Sequence, residues 1–161
     1  MDDARIEPAG RDELERRFLT RLRAAVHPIT IDTWVDRPQL VTSLDINDDA
    51  RKTVLRTLRV DFDGARIWGG NDPTGQLASE LDPDDPDWFE RGDCSTPEEC
   101  AETAAAFFKK QLERPIDREE WDVGTLLQCR WTLADRGRGL LTTGIPDRPP
   151  DRVVRVIPGN L

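Results

Sequence analysis

Four aspartates, Asp82, Asp84, Asp85 and Asp87, crowd the segment Leu81-Asp82-Pro83-Asp84-Asp85-Pro86-Asp87-Trp88-Phe89-Glu90. Carboxylates this close together suit a hard divalent cation such as Ca²⁺. An EF-hand loop, however, needs Gly at its sixth position and Glu at its twelfth. Counted from Asp82 those positions hold Asp87 and Asp93, and Pro83 and Pro86 break the spacing further. No metal site is expected here. A solvated loop is the simplest use of the segment, and an acidic surface that docks a partner is the next. Trp68 and Trp88 stand at its margins, where a Trp either folds back onto the core or serves as an interface anchor. The candidate partner-binding set is therefore Trp68, Asp82, Asp84, Asp85, Asp87 and Trp88.

A second set is basic. Arg59 and Arg66 surround Asp61, Arg118 lies two residues from Glu120, and Arg130 lies two from Gln128. Cross-strand ion pairs on a solvated sheet face account for them simply. If that face forms a cleft, Arg59, Arg118 and Arg130 are the residues that would hold an anionic ligand. His27, the only histidine, stands between Val26 and Pro28 at a helix end, where it suits a cap better than a general base. There is no nucleophile elbow and no phosphate-binding G-x-x-x-x-G-K-[ST] loop, and Gly137-Arg138-Gly139 precedes no helix. Cys100 sits near a helix N-terminus, which favours a thiolate, but the alanines after it fit core packing. No catalytic set and no cofactor are expected.

The elements that must position these residues follow from periodicity. Leu14, Phe18, Leu22 and Val26 form a helical stripe from Asp12 to Val26, ended by His27-Pro28. Residues 1–10 read as a loose lead-in. Alternation then predicts strands around Ile29–Trp34, Leu40–Ile46 and Thr57–Phe62, a two-residue Asp63-Gly64 hairpin turn, and a return strand Ala65–Trp68 ended by Gly69-Gly70. Residues 69–95 carry no period and read as one long acidic loop. Thr96-Pro97-Glu98-Glu99 is a strong helix start, with Ala101, Ala104, Ala105, Phe108 and Leu112 as the apolar stripe and Pro115 as the stop. Strands are expected at Ile116–Asp122, Leu127–Leu133, Leu140–Thr143 and Val153–Ile157, with Pro158-Gly159 closing the chain. Residues 144–152 form an extended, proline-stiffened segment. Hairpins rather than βαβ units link the strands. This predicts one α+β domain over 1–161: a mostly antiparallel sheet with two main helices packed on one side.

Bulk chemistry narrows the function. Thirty-two acidic against 23 basic side chains leave a net charge of −9 over 161 residues, which phosphate backbones repel, so nucleic acid is not the expected partner. A basic protein is. Three cysteines without a C-x-x-C pair exclude a recognisable zinc site. A Cys94–Cys100 disulfide is conceivable, but the acidic N-terminus without an apolar run points to a reducing, cytoplasmic setting. No apolar run is long enough to span a membrane. The expectation is a non-enzymatic, acidic partner-binding protein of the immunity, antitoxin or adaptor kind, an analogy of class that no motif carries. The alternative is a ligand-binding or enzymatic domain using the arginines, and a homodimer sealed by the C-terminal strand is compatible with either.

Overall fold

Acidic Asp12 and Glu13 in the first turn and Arg23 in the last complement the helix dipole of the first element. In the computed structural model, which describes residues 10–77 and 79–156, this helix, α1, spans Arg11–Val26. His27 is its C-cap, as its position in the sequence predicts. The expected lead-in over residues 1–9 and the chain end at Ile157–Gly159 lie outside the described residues.

Five strands follow: β1 (Asp32–Asp36), β2 (Gln39–Asp48), β3 (Thr53–Phe62), β4 (Ile67–Asp72) and β5 (Phe89–Arg91). They pair antiparallel in chain order. Helix α2 (Pro97–Leu112) starts on the predicted cap, where the Thr96 hydroxyl accepts the Glu99 N–H at 3.2 Å. Four more strands, β6 (Ile116–Val123), β7 (Leu126–Leu133), β8 (Arg138–Thr142) and β9 (Arg152–Val156), form a second antiparallel sheet in the order β8-β7-β6-β9. The α+β class and the antiparallel pairing match the hairpin rhythm, but the strands make two sheets rather than one. The reason is α2, which leaves the edge strand β5 and packs along α1, so the later hairpins cannot extend the first sheet.

One face of the first sheet carries Leu40, Leu44, Ile46, Leu58, Val60, Phe62 and Ile67, and the helices cover it. Phe18 of α1 stacks on Phe62 with ring centroids 4.4 Å apart. Ala101, Ala104 and Ala105 leave no bulk between α2 and its neighbours, and Arg17 binds Glu98 through two 2.7 Å hydrogen bonds across the helix pair. Ile116, Cys129, Trp131, Leu133 and Val156 of the second sheet join the same continuous core. No described helix is long and apolar enough to cross a membrane.

Three local expectations are corrected. The turn after β3 has four residues, Asp63–Arg66, because the Asp63 carboxylate accepts the N–H groups of Ala65 and Arg66 and holds the wider loop. Gly69 and Gly70 do not end β4; they are paired inside it. Glycine is required at 69 because a Cβ there would lie 2.6 Å from the Phe89 ring and 2.7 Å from the Arg59 carbonyl oxygen. Cys94 and Cys100 are joined by a disulfide, with Cα atoms 5.6 Å apart, rather than remaining thiols. The chain reverses between β5 and α2, which brings the two together.

Gly69→Ala should lower the unfolding free energy by about 1–3 kcal/mol through overpacking against Phe89, measured by urea denaturation.

Candidate functional site

Register decides which side chains share the sheet face turned away from the helices. One row runs across all five strands: Trp34, Val41, Asp61, Trp68 and Glu90. The next holds Asp32, Ser43, Arg59 and Gly70, and the next Asp45, Thr57 and Asp72. This outer face is rich in carboxylate and Trp, and part of it is covered. Residues 73–77 and 79–81 cross it, and Arg59, only 7% exposed, fastens them. Its Nε and Nη2 each donate to the Asp61 carboxylate at 2.7 Å, while Nη1 donates to the carbonyls of Leu77 (3.1 Å) and Ser79 (2.9 Å). Burial pushes the Asp61 carboxyl above its ordinary range despite Arg59 beside it.

On one side of this crossing lies a groove of about 410 Å³. Trp68 and Trp88, both half-buried, wall it, and Asp36, Asp61 and Glu80 supply its carboxylates. The two tryptophans singled out in the sequence therefore meet at a single recess. The Arg66 guanidinium lies 5.4 Å from the centre of the Trp68 ring and steadies it.

The acidic segment divides. Asp82 and Asp84 are exposed, as a docking or solvated loop requires. Asp85 and Asp87 turn inward. Asp87, 6% exposed, meets Arg56 of β3 (3.0 Å), Arg114 after α2 (2.8 Å) and Arg136 of the β7–β8 turn (3.3 Å), with Arg138 of β8 at 3.8 Å. Asp85 takes a 2.9 Å bond from Arg138. Burial would raise the Asp85 carboxyl, but Arg138 and the Asp87 N–H outweigh it and hold it below its ordinary value. Burial pulls the Arg56 guanidinium down to about 10, which leaves it cationic at neutral pH. These groups form a structural knot in which every one is engaged.

A second knot closes the far end. Asp48, at the end of β2, accepts from Arg118 Nη1 at 2.5 Å and from Trp131 Nε1 at 2.8 Å, and Arg118 Nε donates to Glu120 at 2.7 Å. Burial works against the Asp48 and Glu120 charges, yet both carboxyls lie below their ordinary values because these donors, with Arg152 at Glu120, prevail. Arg130 points to the opposite face of the second sheet, paired with Glu119. Arg59, Arg118 and Arg130 thus lie in three separate surroundings, each beside a carboxylate, and are not brought together around one cleft.

Charge left over after this pairing is concentrated on the outer face of the first sheet. Among the described residues, Asp32, Asp36, Asp45 and Asp72 of that face and Glu80, Asp82 and Asp84 of the segment after β4 enter no ion pair, whereas only Asp49, Glu113 and Asp147 are unpaired elsewhere. Sequence reasoning missed Trp34, Asp36, Asp45, Asp72 and Glu80. The alternation Asp32-x-Trp34-x-Asp36 was visible, but only pairing register aligns it with Asp61 and Trp68. No group of three or more His, Cys, Asp or Glu among the described residues is placed to hold a metal.

Asp87→Asn should cost about 3–5 kcal/mol in urea denaturation, since it leaves buried guanidiniums without their shared counterion. Asp82→Asn and Asp84→Asn should each stay within about 0.5 kcal/mol of wild type. Asp48, Asp85 and Glu120 have carboxyls lowered in the folded state, so their stabilisation is present at neutral pH and lost as pH falls below about 4.5. Asp61, whose carboxyl is raised, works in the opposite sense. Unfolding free energy should therefore fall in acid, with a shallower fall in Asp85→Asn, read from denaturation curves between pH 7 and pH 3.

No family model matches the chain, and no curated protein or solved structure proves similar to it.

Proposed function

We propose that this chain is a non-enzymatic binding protein that docks a basic protein partner on the outer face of its first sheet, in the manner of immunity, antitoxin or adaptor proteins. The observation that carries this is the segregation of charge. The carboxylates of the two buried knots are matched by arginines, whereas Asp36 and Glu80 of the Trp68–Trp88 groove, with Asp82 and Asp84 beside it, enter no ion pair and are left for something outside the chain. Uncompensated charge of one sign steers an oppositely charged partner and raises its association rate. Two half-buried tryptophans in the same recess are the residue type that supplies binding energy at protein interfaces. The ligand-binding or enzymatic alternative has no comparable support, because its three arginines lie apart and each is held by a carboxylate.

A cytoplasmic setting is the reading proposed for this encounter, while the Cys94–Cys100 disulfide favours an oxidising compartment. Thiol alkylation during denaturing lysis, which also opens the buried Cys129, decides between them: Cys129 alone labelled indicates the oxidising setting, and three labelled cysteines the cytoplasm.

Affinity capture from native lysate at low and high salt tests the function itself, with a Glu80→Gln, Asp82→Asn, Asp84→Asn variant alongside. A stoichiometric basic protein should be retained by wild type at low salt and lost at high salt. The triple variant should lose it too, while Trp88→Ala should weaken it about tenfold or more. Retention of the same partner by the triple variant at undiminished level would overturn the proposal.

A further inference from the structure

On the other side of the crossing segment the outer face opens into a second cleft, of about 580 Å³, between the first sheet and β8. That volume falls in the range of about 300–1,000 Å³ common for ligand sites. At its base the row Asp45–Thr57–Asp72 sets a carboxylate on each side of a threonine hydroxyl. The Thr57 hydroxyl donates to Asp45 at 2.7 Å, which orients that carboxylate. Asp72 is 3% exposed. Its Oδ1 accepts the N–H groups of Thr74 (2.9 Å) and Gly75 (3.1 Å), but its buried Oδ2 has no hydrogen-bond partner. A buried carboxylate oxygen without a donor is costly, and native structures rarely keep one without a use. Two guanidiniums in the wall do not satisfy it, because Arg56 is committed to Asp87 and Arg138 to Asp85. Val54, Leu140 and Leu141 add an apolar wall.

We propose that this cleft is the socket for an arginine side chain of the docked partner, an inference that rests on the binding role proposed above. The guanidinium fork supplies the missing donor to Asp72 Oδ2 and reaches Asp45 across the Thr57 hydroxyl. The aliphatic stem packs on Val54 and Leu140. Arginine suits the site better than lysine because its planar, weakly hydrated head presents several donors in a fixed geometry. The groove walled by Trp68 and Trp88 and this socket then grip the partner on either side of the Arg59-clamped crossing.

The test uses N-acetyl-L-arginine amide, whose only charge is the side chain, and N-acetyl-L-citrulline amide as its neutral isostere. Both are titrated into the ¹⁵N-labelled full chain while the amide signals of Thr57, Asp72, Thr74 and Gly75 are followed. The arginine probe should give saturable shifts with a dissociation constant in the millimolar range, and the citrulline probe none. Asp72→Asn retains the Oδ1 acceptor, and so the bonds to Thr74 and Gly75. It should keep its stability and lose arginine binding by about tenfold or more. Asp45→Asn, exposed and therefore safe for folding, should weaken binding as well. No saturable shift, equal shifts with citrulline, or undiminished binding by Asp72→Asn would each overturn the socket. The Glu80, Asp82, Asp84 triple variant separates the two proposals: it should still bind the arginine probe, since its substitutions lie outside the cleft, so loss of partner capture and loss of the socket are read independently.

Discussion

A single buried carboxylate, Asp87, fixes how the parts of this protein sit together. Removing an anion from water is tolerable only where cations and hydrogen-bond donors replace the water. Here they come from three places in the fold: Arg56 from the first sheet, Arg114 from the end of α2, and Arg136 and Arg138 from the β7–β8 hairpin of the second sheet. Any displacement of one element strands a charge on another. The apolar core is continuous through the same region, but apolar contacts are non-directional, and the guanidiniums around Asp87 give the two sheets a defined relation.

The same residue anchors the long segment between β4 and β5. That segment is tied at its far end by Asp87 and at its middle by Arg59, which binds the carbonyls of Leu77 and Ser79. Held at both points, it lies across the outer face of the first sheet and leaves a recess on each side, one walled by Trp68 and Trp88, the other floored by Asp45 and Asp72.

Charge is sorted by place. Each carboxylate of the two knots meets guanidinium, whereas Asp32, Asp36, Asp45 and Asp72 on the outer face of the first sheet enter no ion pair. The arginine-rich basic complement is largely consumed by these internal contacts, where its bidentate geometry serves better than lysine would. The net negative charge read from composition is therefore not spread evenly.

Much of the fold was legible in the residues themselves. The Leu14–Val26 stripe, the Thr96-Pro97-Glu98-Glu99 start and the alternation of Leu40–Ile46 and Leu58–Phe62 are local signals, and each produced its element. Trp68 and Trp88 were visible as candidates, as were the four aspartates. What remained hidden depends on pairing between distant residues. Gly69 looks like part of a strand end until Phe89 is known to fill the space above it. Asp85 and Asp87 look like their neighbours Asp82 and Asp84 until Arg138 and Arg56 are seen to meet them. Cys94 and Cys100 look like free thiols until the chain reverses between them. Local sequence determines periodicity, caps and charge, because these act over a few residues. Only the tertiary structure decides which carboxylates are neutralised inside and which are left unpaired outside, because that depends on strand register and on arginines as distant in the chain as Arg118 is from Asp48, 70 positions away.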